Sequence, residues 1–267
     1  MNNPVFEAII SGHERELRGK FSRTHFHFSE ETGSTNDDLL HRVRSGKAQH
    51  LEVISTDFQR QGRGRRGDKW EASAGQNLLF SIALELVGPR SHWTRLPHLT
   101  AFLLGQSVES ILIGSQKLQA KWPNDLLHHG KKLAGILVET VLTPQPFAVV
   151  GIGLNVNLRT VELPAELQNT ATSLYEILEC ESNRWFLLGE IIAAFATEYP
   201  DKLTNFSEVI EWLRTRDALR NQSLKILTQQ GPLYGTGAGI GDNGELLLER
   251  EDQSLKTILS AERVLLC

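Results

Sequence analysis

Cysteine is nearly missing from this chain, which has only Cys180 and Cys267 in 267 residues. That scarcity excludes a disulfide-built scaffold and points to reduced thiols and a cytoplasmic setting. No apolar run approaches the ~20 residues that a membrane span needs. Met1–Lys20 lacks an apolar core and carries Glu7, Glu14 and Glu16, which argues against a signal peptide. Basic excess is also lacking. Lys and Arg total 28 against 32 Asp and Glu, and a net charge of −4 argues against a bulk nucleic-acid binder. The nine histidines and two cysteines show no metal-ligand spacing, and no Ser/His/Asp order stands out.

Against that acidic background, Gly62–Trp70 reads Gly-Arg-Gly-Arg-Arg-Gly-Asp-Lys-Trp. Glycines let a backbone approach a ligand closely, and arginine forks suit phosphate or carboxylate oxygens. Alone, the stretch fits an anion-binding loop or an RNA-binding or solvated Arg/Gly segment equally well. It is not a Walker A loop, because it lacks the terminal Lys-Ser/Thr. Ordering nine residues costs roughly 1–2 kcal/mol each, so such a loop is expected to close only over a bound ligand.

The chain pattern predicts an α+β fold: a mixed β-sheet with helices packed on one side. Strands are expected at 24–31, 51–56, 78–87, 118–121, 133–142 and 147–157, and helices at 36–44, 93–113 and 173–213, the last broken near Pro200. Residues 1–21 are polar and weakly patterned, with room for one short helix. After Asn221, five short strands separated by Gly, Asp and Asn turns predict a small β-barrel. The expected divisions are 1–21, an N-terminal extension; 22–220, a ligand-binding domain; and 221–267, the barrel.

Three further segments hold candidate site residues. Ser34-Thr35-Asn36 opens a helix, where backbone amides and hydroxyls converge on polar groups, although plain helix capping explains it as well. Lys121-Trp122-Pro123-Asn124-Asp125 places an amide and a carboxylate on a turn. Lys132 begins a strand containing Gly135, and Gly151-Ile152-Gly153-Leu154-Asn155-Val156-Asn157 repeats the glycine-in-strand signature. Glycines weaken strands unless something approaches their backbone, so two such windows suggest a flat ligand lying on the sheet.

Taken in order, Gln59-x-x-Gly62-Arg63-Gly64-Arg65-x-Gly67, Lys121–Asp125, Lys132-Leu-x-Gly135-Ile-Leu-x-Glu139 and Gly151-Ile-Gly-x-Asn155-Val-Asn157 resemble the motifs of biotin–protein ligases. The likeness runs from about Phe26 to the C-terminus. It implies the biotin/lipoate ligase catalytic fold plus a C-terminal SH3-like barrel. It further implies activation of biotin by ATP to biotinyl-5′-AMP, with Mg²⁺, and transfer to one lysine of the biotin carboxyl carrier protein of acetyl-CoA carboxylase. By motif position, Ser34, Thr35, Asn36, Gln59, Arg63, Gly64, Arg65, Trp70, Lys132, Gly135, Gly151 and Asn155 would contact biotin or adenylate. Arg65 and Lys132 would be catalytic, and Trp70 would pack over the adenine. The magnesium ligands are not identifiable.

Two departures accompany the resemblance. Asp68 stands where relatives usually carry a basic residue. Residues 1–21 are too few for the DNA-binding domain of the bifunctional repressor-ligases, so the monofunctional type is expected, without DNA or membrane as partner, as monomer or homodimer. Lipoate–protein ligases and octanoyl transferases resemble the same fold and are the nearest rivals.

Overall fold

A computed structural model describes residues 4–17, 20–22, 25–112, 114 and 116–267. Seven strands form the main sheet: β1 (Phe26–Thr32), β2 (Glu52–Gln59), β3 (Leu78–Glu85), β4 (Gln119–Lys121), β5 (Asp125–His128), β6 (Lys131–Val141) and β7 (Phe147–Leu154). Their order is β1-β2-β3-β7-β6-β5-β4, with β1 parallel to β2 and every other pair antiparallel. The interior strand β3 reads as a nearly continuous apolar run because both of its faces are covered.

Nine helices occur among the described residues: α1 (Pro4–Leu17), α2 (Thr35–Arg44), α3 (Arg90–Trp93), α4 (Leu96–Glu109), α5 (Ala165–Gln168), α6 (Leu174–Leu178), α7 (Arg184–Glu198), α8 (Asp201–Thr204) and α9 (Ser207–Arg216). The main helical layer is built on α4, which is buried almost all round and packs against α7, α9 and β6. A side chain at Gly105 of α4 would lie 2.4 Å from the Trp212 ring of α9, so glycine there permits the close crossing. Within residues 1–21, α1 docks on α7 and buries Phe6, Ile9 and Leu17.

Helix α2 lies on the opposite face of the sheet. Leu39, Leu40 and Val43 pack there on Ile54, Ala83 and Val149. Its first turn carries Asp37 and Asp38 and its last turn Arg42 and Arg44, matching the helix dipole. The ends of this helix therefore point consistently, and its N-terminus opens toward the middle of β3, β7 and β6.

The structure differs from the sequence reading at several elements, among them the helical stretch 173–213, which is also broken over 179–183 between α6 and α7. The helix expected over 93–113 is split, and α4 begins only at Leu96, with Pro97 in its first turn. There the missing N–H and fixed φ are tolerated, so proline starts the helix. Asp125–His128 is strand β5, where the sequence predicts a turn at Pro123-Asn124-Asp125 and no element over 126–128. It pairs with β6 through the two-residue turn His129-Gly130, whose φ values of 48° and 75° suit a tight hairpin.

The remaining strands, β8 (Ser223–Thr228), β9 (Gly231–Ile240), β10 (Leu246–Glu249), β11 (Leu255–Ile258) and β12 (Arg263–Leu266), form a separate antiparallel sheet of order β11-β10-β9-β8-β12. This matches the expected small C-terminal β unit. It is seated on the main body by the β9–β10 turn, where the Gly244 carbonyl accepts the Trp122 indole N–H at 2.9 Å. His98 of α4 packs on the same glycine.

Candidate active site

A cavity of about 290 Å³ opens between the N-terminus of α2, the loop joining β2 to β3, the centre of the main sheet and the end of β12. One part of its wall belongs to a chain of short polar contacts. Thr35 N–H donates to the Gln59 side-chain Oε1 at 2.8 Å, so Gln59 takes over the first-turn capping that the Ser34 side chain does not perform. The Thr35 and Ser81 hydroxyls lie 2.7 Å apart, and Ser81 donates to Asn36 Oδ1 at 2.6 Å. Asn36 Nδ2 in turn donates to Glu139 Oε2 at 2.8 Å. Ser34, Thr35, Asn36 and Ser81 are all buried. Such a chain fixes the orientation of these amide and hydroxyl groups beside the cavity.

The Gly-Arg stretch forms a small hairpin that covers the cavity. Gly64 N–H donates to Asp68 O at 2.7 Å and Trp70 N–H to Gly62 O at 3.0 Å. Any side chain at Gly62 would lie 2.7 Å from the Trp70 carbonyl. Arg63 turns inward to Glu139 Oε2 at 3.1 Å and also pairs with Asp37. Arg65 reaches Asn124 Oδ1 at 3.4 Å. Burial, with Arg66 nearby, lowers the Arg65 pKa, while Asp125 and Asp68 oppose the shift. Arg65 stays a cation throughout the physiological range.

Lys132, at the start of β6, lines the same cavity. Its backbone is clamped on both sides, Lys132 N–H donating to Thr170 O at 2.7 Å and Lys132 O accepting from Thr172 N–H at 2.9 Å. Its ammonium lies 2.8 Å from Asp125 Oδ1 and 5.4 Å from the centre of a Trp70 ring. Trp70 rests on the sheet: a Cβ at Gly153 would come within 2.4 Å of its indole, and one at Gly135 within 2.7 Å. The Trp70 Nε1 is buried without a hydrogen-bond partner, leaving a donor for a ligand acceptor.

Of the residues named from sequence, Ser34, Thr35, Asn36, Gln59, Arg63, Gly64, Arg65, Trp70, Lys132, Gly135 and Gly151 all line this cavity. Asn155 lies apart from the lining. It is buried, and its amide donates to Thr172 O at 2.9 Å, which fixes the segment that clamps Lys132. Gly151 serves a neighbour, since a Cβ there would sit 2.2 Å from Asn36 Oδ1.

With this geometry in place, known proteins offer a direct comparison. Residues 28–157 match the biotin/lipoate A/B protein ligase family. The chain is 31% identical over 232 residues to the bifunctional ligase/repressor BirA of Bacillus spizizenii, covering 86% of this chain and 70% of that protein. The chain belongs to the biotin/lipoate A/B protein ligase family. Over a shorter span it is 38% identical, across 149 residues, to the biotin–[acetyl-CoA-carboxylase] ligase of Mycobacterium tuberculosis, covering 55% of this chain and 53% of that one. In three dimensions it superposes on the Aquifex aeolicus biotin protein ligase in complex with biotin and ATP with a TM-score of 0.76 at 28% identity, over 91% of this chain and 98% of that one.

Sequence reading did not select several residues that lie in the lining or bond to it. Ser81 and Glu139 complete the polar chain, and Glu262, Arg263, Val264 and Leu265 line the mouth from β12 and the turn before it. Glu139 was within reach, because it lies four residues beyond Gly135 on the same strand face. The β12 residues carried no local signal: they come close only through the packing of the second sheet.

Proposed function

We propose that this protein activates biotin with ATP, forming biotinyl-5′-AMP and pyrophosphate, and transfers the biotinyl group to a lysine of a biotin carboxyl carrier protein. The observation that carries this reading is that Arg65 and Lys132, held by the adjacent Asn124 and Asp125, line one cavity together with Ser34, Thr35 and Asn36. The family, and the relatives and solved structures named for biotin ligation, support it.

In the first step the biotin carboxylate attacks the α-phosphorus and pyrophosphate leaves. Two unit negative charges ~4 Å apart repel by about 4 kcal/mol at an effective dielectric of ~20. Arg65 and Lys132 would offset that repulsion as the groups meet, and they would stabilise the charge that builds on the phosphoryl oxygens. The buried hydroxyls and amides of Ser34, Thr35, Asn36 and Ser81 would hold the ureido ring, which gives selectivity because a ligand lacking those groups leaves them unpaired. Trp70, with its free indole N–H, would face the adenylate. In the second step the carrier lysine amine attacks the biotinyl carbonyl, and AMP leaves.

Magnesium would neutralise the triphosphate. Among the described residues no group of three or more His, Cys, Asp or Glu is placed to cage an ion, while Asp125 offers one carboxylate beside Lys132. That donor set fits an ion carried mainly by the nucleotide. The reading also divides the chain into the extension 1–21, a catalytic unit 22–220 and a β unit 221–267, supported by the break between α9 and β8. No described helix is long and apolar enough to cross a membrane. We expect action in the cytoplasm without DNA, as monomer or homodimer.

The RNA reading of the Gly-Arg stretch loses ground, because Arg63 and Arg66 are already paired to Glu139 and Glu262. The deciding test is adenylate formation with biotin against lipoate. Activity with biotin is expected; activity with lipoate alone would overturn the substrate assignment.

A further inference from the structure

Asp68, the residue that departs from the family pattern, has a partner in the second sheet. Three consecutive residues ahead of and within β12 meet the Gly-Arg hairpin in register. Arg65 Nη2 donates to Ala261 O at 3.3 Å, Arg66 Nη1 lies 3.1 Å from Glu262 Oε1, and Arg263 Nη2 lies 3.1 Å from Asp68 Oδ1. The two ion pairs run in opposite senses, Arg66 to Glu262 and Asp68 to Arg263, while Arg65 meets a backbone carbonyl. Arg66 also sits at φ 56°, a left-handed conformation that disfavours a residue with a side chain. The ion pair to Glu262 gives that unfavourable conformation something to be held by.

The hairpin is closed on itself by its own hydrogen bonds, so pulling on its tip moves the whole unit, Trp70 included. We propose that Asp68–Arg263 and Arg66–Glu262 form an intramolecular latch that holds this lid shut over the adenylate, which makes these four positioning residues for the ligase reaction on which the reading above rests. The C-terminal sheet then acts on the reaction through the lid. Asp68 is thereby explained as the partner that Arg263 requires, and not as a loss of lid charge.

Magnitude shapes the test. Both Asp68 and Arg263 are well exposed, at 60% and 64% for their side chains, and exposed pairs each change an equilibrium by only a small factor. A lid that must open and close sits near balance, so a small factor shows directly in how fast the adenylate escapes.

The experiment measures biotinyl-5′-AMP release from the full chain as wild type, Asp68→Arg, Arg263→Asp and the double variant. Each single change is expected to speed release by about two- to fivefold, and the exchanged pair to return within about twofold of wild type. Raising salt from about 0.05 M to about 0.5 M should speed wild-type release, and speed it less in Asp68→Asn, where only the Arg66–Glu262 pair remains. Singles that release at the wild-type rate, or a double as fast as the product of its singles, would overturn the latch. A wild type that forms no adenylate would instead overturn the ligase reading. The latch is then read from trypsin cleavage after Arg65, followed by mass: faster in Arg263→Asp and restored in the double if the latch exists, equal in all if it does not.

Discussion

The indole of Trp70 lies so flat on Gly153 that a single methyl there would come within 2.4 Å of the ring. The glycine is required by a side chain of the lid, and so the sheet, the lid and the slot beneath them form one fitted unit. Replacing Gly153 with Ala should push Trp70 off the sheet, since overpacking typically costs about 1–3 kcal/mol. The KM for ATP is expected to rise about tenfold or more, with biotin affinity changed far less. Equal loss for both substrates would place Trp70 elsewhere in the reaction.

Glu139 carries two partners on one oxygen, Asn36 at 2.8 Å and Arg63 at 3.1 Å. It therefore ties the polar end of the cavity to the lid. Glu139→Gln keeps the shape but removes the charge, and charge-assisted bonds contribute ~1.5–3 kcal/mol. Calorimetry should show biotin affinity reduced by about tenfold. Unchanged affinity would mean that neither partner depends on the carboxylate.

His98 joins α4 to the β9–β10 turn. Burial pushes its pKa down to about 4 from the ordinary 6.5, although Glu245 and the Gly244 backbone pull the other way. The folded protein thus keeps His98 neutral while the unfolded chain takes up a proton below pH ~6.5. Stability contributed at this site is whole above that pH and falls as pH drops from 6.5 toward 4, by at most about 1.4 kcal/mol per unit. Urea midpoints at pH 7 and pH 5 should converge between wild type and His98→Gln as the pH falls. Parallel losses in the two proteins would assign the acid sensitivity to other groups.

Much of this site was legible because its residues sit in short local motifs. Ser34–Asn36 open a helix, Lys132 opens a strand, and the Gly-Arg hairpin announces itself by composition. The glycines at 135, 151 and 153 were also visible as anomalies, but their cause was not. They line the cavity and also make room for Trp70 and Asn36, and only the tertiary approach reveals the second part. The helical segment 93–113 read as continuous because apolar spacing outweighed Pro97, which in fact starts α4. Residues 262–265 were invisible as site residues, since nothing local marks strand β12 as the far wall of a cavity nearly 200 positions upstream (Arg263 to Asp68 is a separation of 195).

The roles of Arg65 and Lys132 meet their most direct test in biotin-dependent exchange of pyrophosphate into ATP, measured for wild type, Arg65→Ala and Lys132→Ala. Exchange isolates the first step and needs no carrier. Removing one well-placed cationic or hydrogen-bonding stabiliser commonly costs on the order of a hundredfold in rate. Both variants are therefore expected to fold normally, judged by an unchanged urea midpoint within about 1 kcal/mol, and to lose exchange by about a hundredfold or more. Exchange at the wild-type rate in folded Arg65→Ala and Lys132→Ala would contradict their assignment as the groups that bring carboxylate and phosphate together.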